Sequence, residues 1–88
     1  MYELVKRILD KSKETGEDVL VARDMCIAED RENEGVLRSA SEIVKAHYST
    51  ITKLRRDKDE ASIKKLCELV TSGDKFALRE FKEEVEER

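Results

Sequence analysis

Between Val36 and Arg56, positions facing one side of a helix return at steps of three and four: Leu37, Ala40, Val44, His47, Ile51 and Leu54. A spacing that averages 3.5 residues keeps successive side chains on one face, so this is a heptad seam. Val36, Ile43 and Tyr48 widen the stripe, and neither Gly nor Pro interrupts it. The pattern predicts one long helix over 36–56, about 21 residues and ~30 Å at 1.5 Å per residue.

The rest of the chain supplies shorter helices around it. Leu4, Val5, Ile8 and Leu9 make one stripe on a helix from Tyr2 to Thr15, with Gly16 as its stop. Asp18 is placed to cap a second helix, whose Val19-Leu20-Val21-Ala22 and Met25-Cys26-Ile27-Ala28 are apolar on nearly every side before Asp30. The run Val19–Ala22 could also be a buried strand, but no second strand-like run exists to pair with it. The polar segment 29–34 ends at Gly35, which reads as a stop and turn, and a break is expected near Asp57–Asp59. Asp59 or Glu60 leads a further helix with Ile63, Leu66, Cys67 and Val70 on one face, closed by Ser72-Gly73. Asp74 caps a last one carrying Leu78, Phe81 and Val85. The expected fold is all-α: one domain over 1–88, a small bundle of four to five helices built around the long helix at 36–56.

The second helix has more apolar surface than one thin core can absorb, and an 88-residue chain has only a thin core. A second copy of the chain is the expected cover, which makes Leu20, Met25, Ile27, Leu37, Val44, His47, Ile51 and Leu54 the candidate interface of a homodimer.

Composition changes this picture in two ways. Charged residues make up 44% of the chain, Gln is absent and Asn33 is the only Asn, a balance expected of a protein working at high temperature. The net charge of −3 is also unevenly spread: residues 45–65 hold 7 cations against 3 anions, between acidic flanks. This basic band, with Lys53, Arg55, Arg56, Lys58, Lys64 and Lys65, defines the alternative reading, a small nucleic-acid-binding protein. Asp57, Asp59 and Glu60 interrupt the band and no aromatic is interleaved with it, so nucleic acid is not the favoured partner. No apolar run is long enough for a bilayer, and Met1-Tyr2-Glu3-Leu4 lacks a cationic lead into an apolar stretch. No membrane partner and a cytoplasmic location are therefore expected. Cys26 and Cys67 have neither the number nor the spacing of a disulfide framework or a zinc site, and both lie among apolar neighbours where a thiol stays protonated.

Little in the sequence suggests chemistry. His47 has no carboxylate three or four positions away, which removes the E-x-x-H and H-x-x-x-H metal arrangements. Glu29 with Glu32, and Asp57 with Glu60, resemble the paired acidic motifs of the all-α nucleoside triphosphate pyrophosphatases, which hold magnesium between two helices. The first pair falls at a solvated helix end and the second straddles the expected break. Ser41–Ala46 followed by Tyr48–Arg56 resembles the two helices of a helix-turn-helix factor, yet the segment between is short by several residues and lacks Gly. Three isolated glycines exclude a P-loop and a dinucleotide-binding turn. No catalytic, cofactor-binding or metal-binding residue is assigned. The expected function is a helical protein–protein interaction module, partnering itself and also open to another protein, with no catalytic chemistry of its own. Nucleic-acid binding comes second and a metal-dependent all-α hydrolase last.

Overall fold

Six α-helices, one 3₁₀ turn and no strand make up the computed structural model, which describes all 88 residues. The chain is an all-α protein. In order the helices are α1 (Tyr2–Thr15), α2 (Val19–Glu29), α3 (Glu34–Ala46), α4 (Tyr48–Arg56), α5 (Glu60–Ser72) and α6 (Lys75–Glu86), with the 3₁₀ turn at Arg31–Asn33.

The helix ends follow from local chemistry. Three aspartates each accept a hydrogen bond from an otherwise unpaired backbone N–H of the first turn: Asp18 from Val21 at 2.9 Å, Asp59 from Ser62 at 3.1 Å and Asp74 from Ala77 at 3.0 Å. Gly16 and Gly73 stop α1 and α5 in the left-handed region, at φ 76° and 77°. A Cβ at either glycine would meet nothing within 4 Å, so the cost of a side chain there is the backbone strain alone. Gly16→Ala and Gly73→Ala should each lower stability by about 1 kcal/mol, and the Asn variants by less. Chemical denaturation of the four variants checks this.

The long helix expected over 36–56 is divided. α3 ends at Ala46, His47 takes φ −126° and ψ 31°, and α4 starts anew with the Ile51 N–H bonded to the His47 carbonyl at 2.9 Å. Thr50, Ile51 and Thr52, a β-branched run, give the segment after the break a weak helical preference of its own. Gly35 is likewise not a stop: the helix has already begun at Glu34, and the 3₁₀ turn before it makes the corner.

Packing divides the chain into two compact units, Met1–Ala46 and His47–Arg88. In the first, α1, α2 and α3 pack against one another around Val5, Ile8, Leu9, Ala22, Cys26, Ile27, Leu37, Ala40, Ile43 and Val44. Ser41 is the polar residue inside, and its hydroxyl donates to the Arg38 carbonyl at 2.7 Å. Ion pairs join α1 to the end of α2: Lys11 to Glu29 at 2.8 Å and Arg7 to Asp30 at 3.0 Å. The Lys11 bond holds the Glu29 carboxyl below its usual range, and bonds from Asn33 and Arg7 do the same for Asp30.

In the second unit α4, α5 and α6 enclose Ile51, Leu54, Ile63, Leu66, Cys67, Phe81 and Val85. Asp59 anchors it, accepting from the Ser62 hydroxyl at 2.6 Å and from Arg88 at 2.8 Å, and these donors bring its carboxyl down to about 2. One helix here has a charge suited to its macrodipole only at the cap, Asp74. α6 opens on Lys75, has no acid in its first turn and no base in its last, and runs out through Glu83, Glu84 and Glu86. Charges placed against the helix macrodipole cost up to ~0.3–1 kcal/mol each near a terminus, less where solvent and salt screen them.

Candidate interaction surface

α2 is apolar on both sides. Ala22, Cys26 and Ile27 face the core of the first unit. At 100° per residue, Val21, Met25 and Ala28 line the opposite side, flanked by Leu20 and Asp24. Leu20 and Val21 are 36% and 38% exposed, Ala28 is exposed and Met25 is half-buried. The single charge on that side, Asp24, is held by its neighbour Arg23 through Nε at 3.1 Å and Nη2 at 3.0 Å. A helix that is apolar all round is normally covered all round, and this one is covered within the chain on one side only.

The eight candidate interface residues fall in three places. Leu37, Val44, Ile51 and Leu54 have no exposed surface, and Ile27 keeps 8%. Each belongs to the core of its own unit, Leu37, Val44 and Ile27 in the first and Ile51 and Leu54 in the second. Leu20 and Met25 lie on the outer side of α2. His47 stands at the head of α4. Val21 and Ala28 complete the α2 surface, and the apolar character of the segment on nearly every side is their signal in the sequence.

Lys53 and Lys65 of the basic band have partners within the chain. Lys53 donates to the Arg88 backbone carbonyl at 3.1 Å, and Lys65 stands 5.4 Å over the centre of the Phe81 ring. Lys53, Arg55 and Arg56 occupy the last turn of α4, where cations complement the macrodipole. Arg56, Lys58 and Lys64 are exposed. The acidic pairs are separated: Glu29 ends α2 while Glu32 sits in the 3₁₀ turn, and Asp57 ends α4 while Glu60 begins α5. No group of three or more His, Cys, Asp or Glu side chains is gathered as metal ligands would be. Cys26 and Cys67 are unpaired and buried, and burial pushes both thiols up. No protein-family model, curated protein or solved structure matches this chain. No helix is long and apolar enough to cross a membrane.

His47, the one histidine, is half-buried, and its Nδ1 is enclosed without a hydrogen-bond partner, as is the Thr50 hydroxyl one turn on. Burial first, and then the Lys82 charge, lower its pKa below 6.5. A folded-state value below the unfolded one means that the unfolded chain takes up the proton first. The contribution of His47 is then present above pH 6.5 and lost as pH falls through the folded value. Melting temperature should fall on going from pH 7.5 to pH 5, and His47→Asn should flatten that fall. Equal slopes in the two proteins would show that another group is responsible.

Proposed function

We propose that the chain is a helical interaction module that self-associates through the outer side of α2. The observation that supports this reading is the Leu20, Val21, Met25 and Ala28 surface with its single, already paired charge. Such a surface carries no charge pattern to select an unlike partner, and a two-fold axis across α2 sets it against its own copy with each Asp24 already paired to Arg23. An 11-residue helix is only ~16 Å long, so the area covered falls short of the ~800 Å² per partner of a standard interface. The association is accordingly weak, with a dissociation constant on the order of 10–100 μM. The first unit has 8 cations and 11 anions, so two copies repel at long range and added salt tightens the pair.

Sedimentation velocity over about 5 μM to 1 mM tests the proposal, with a rise in mean mass expected across that range. Val21→Asp combined with Met25→Asp should abolish the rise. Val21 lies in the first turn of α2, which has no acid of its own, so an added carboxylate there suits the helix, and the melting temperature should hold within a few degrees. A wild-type chain monomeric at 1 mM, or a double variant that still associates, overturns the reading. Short duplex DNA and single-stranded RNA in parallel runs cover the alternative: a mass increase abolished by Arg55→Glu with Arg56→Glu would transfer the function to the basic band.

A further inference from the structure

In the second unit a groove of about 350 Å³ lies between His47 and one face of α6. Its walls are His47, Lys75, Leu78, Arg79, Lys82, Glu83 and Glu86. We infer that this groove binds a small phosphomonoester, with the phosphate held by Lys75, Arg79 and Lys82, and a hydroxyl-bearing body directed toward Glu86.

Four observations lead there. Lys75, Arg79, Lys82 and Glu86 follow one another at i, i+4, i+7 and i+11, which stacks them along a single face, cations first and the acid last. The demand of the α6 N-terminus for negative charge is met by its cap, Asp74, so the macrodipole does not call for the cations that follow. Second, the cations are free to turn toward a ligand: Arg79 reaches only Glu83, at 4.0 Å between two well-exposed side chains, and no ion pair holds Lys75 or Lys82. Third, Lys82 is half-buried and close enough to His47 to act on its charge, while Lys75 and Arg79 are exposed, so the groove is partly shielded from water at Lys82. Fourth, the imidazole lies on the wall of the groove, and its enclosed Nδ1 has no hydrogen-bond partner within the chain.

The size selects the class of ligand. A volume near the lower end of the usual 300–1,000 Å³ range fits a small metabolite. Three cations along one helix face suit a dianionic oxyanion, and Glu86, past the last of them, repels a second phosphate and can accept hydroxyl donors. A phosphorylated sugar or polyol meets those terms. A polyphosphate or a nucleic-acid backbone does not.

The solitary histidine makes the test direct, because its ring Hε1 signal needs no assignment by mutation. Ribose 5-phosphate is titrated into the full chain at fixed pH and constant ionic strength, with inorganic phosphate, ribose and sodium chloride as separate arms. The expected result is a saturable shift with ribose 5-phosphate, corresponding to a dissociation constant of about 1 mM or below. Phosphate should bind more weakly, and ribose and chloride should produce no saturable shift. Lys82→Ala and Arg79→Ala should each weaken binding about fivefold, and Arg56→Ala, outside the groove, should leave it unchanged. A shift that rises linearly and is matched by chloride overturns the site. Phosphate binding as tightly as the ester overturns the assigned ligand class, and unchanged affinity in Lys82→Ala overturns the assigned contacts.

Discussion

Ile51→Asp is expected to unfold the His47–Arg88 unit. Ile51 has no exposed surface, and it lies in the core shared with Leu54, Leu66 and Val85. The substitution forfeits the roughly 1.5–3 kcal/mol gained by burying a large aliphatic side chain, and it places a carboxylate where no cation can be supplied without opening the unit. A carboxylate in that position takes up a proton or drags water in, at a cost of several kcal/mol. The whole chain has on the order of 4–13 kcal/mol to lose, so one such change removes most or all of it. Helical circular dichroism at 25 °C should drop, and the amide signals of α4, α5 and α6 should collapse toward unfolded positions. Thr52→Asp is the matched control. Thr52 is exposed on the same helix, its hydroxyl bonded back to the Tyr48 carbonyl at 2.7 Å, and a carboxylate there should change stability by no more than about 0.5 kcal/mol. A folded Ile51→Asp chain with a near-native melting temperature would mean that this side chain is not in a core.

The helix ends were legible in the sequence because their causes are local. Asp18, Asp59 and Asp74 each need only a backbone N–H three positions on, and Gly16 and Gly73 need only freedom to reach positive φ. The division at His47 was not legible, for a reason the seam itself explains. Periodicity states that a side chain is buried without saying by what, and Leu37, Ala40 and Val44 are buried with α1 and α2, whereas Ile51 and Leu54 are buried with α5 and α6. One unwound residue between two helices leaves the three-and-four rhythm nearly intact, so a single heptad pattern serves two cores. The excess of apolar residues that pointed to a partner copy is in part the need of a second core. Apolar surface remains after both cores are filled, on the outer side of α2 and also at Val36, Tyr48 and Phe76, and the α2 part was legible in the apolar character of its segment. The groove beside α6 was not, because His47 and the Lys75–Glu86 face are brought together only by the packing of α4 on α6. The row of cations at Lys75, Arg79 and Lys82 was in plain view, however, and is the signal that a reading by hydrophobic period passes over. Lys53 shows the same limit on the basic band: its partner, the Arg88 carbonyl, is 35 positions away.

Leu37→Ala and Leu66→Ala should each cost about 2–5 kcal/mol, and each should loosen its own unit most. Both leucines are fully enclosed, Leu37 by the helices of the first unit and Leu66 by those of the second. Truncation removes three carbons from each, and the cost depends on how far the neighbours close in. Leu37 has Ala22 and Ala40 in its core, small residues that cannot swing inward to fill a void, so the upper half of the range is expected there. Leu66 shares its core with Phe81, a larger ring able to tilt, and the lower half is expected. Native-state hydrogen exchange separates the two effects better than a melting curve, because amides report opening element by element. Protection in α1, α2 and α3 should fall most in Leu37→Ala, and protection in α5 and α6 should fall most in Leu66→Ala. If either variant lowers protection evenly from Tyr2 to Glu86, the chain opens as one cooperative body, and the two cores are one unit in energy.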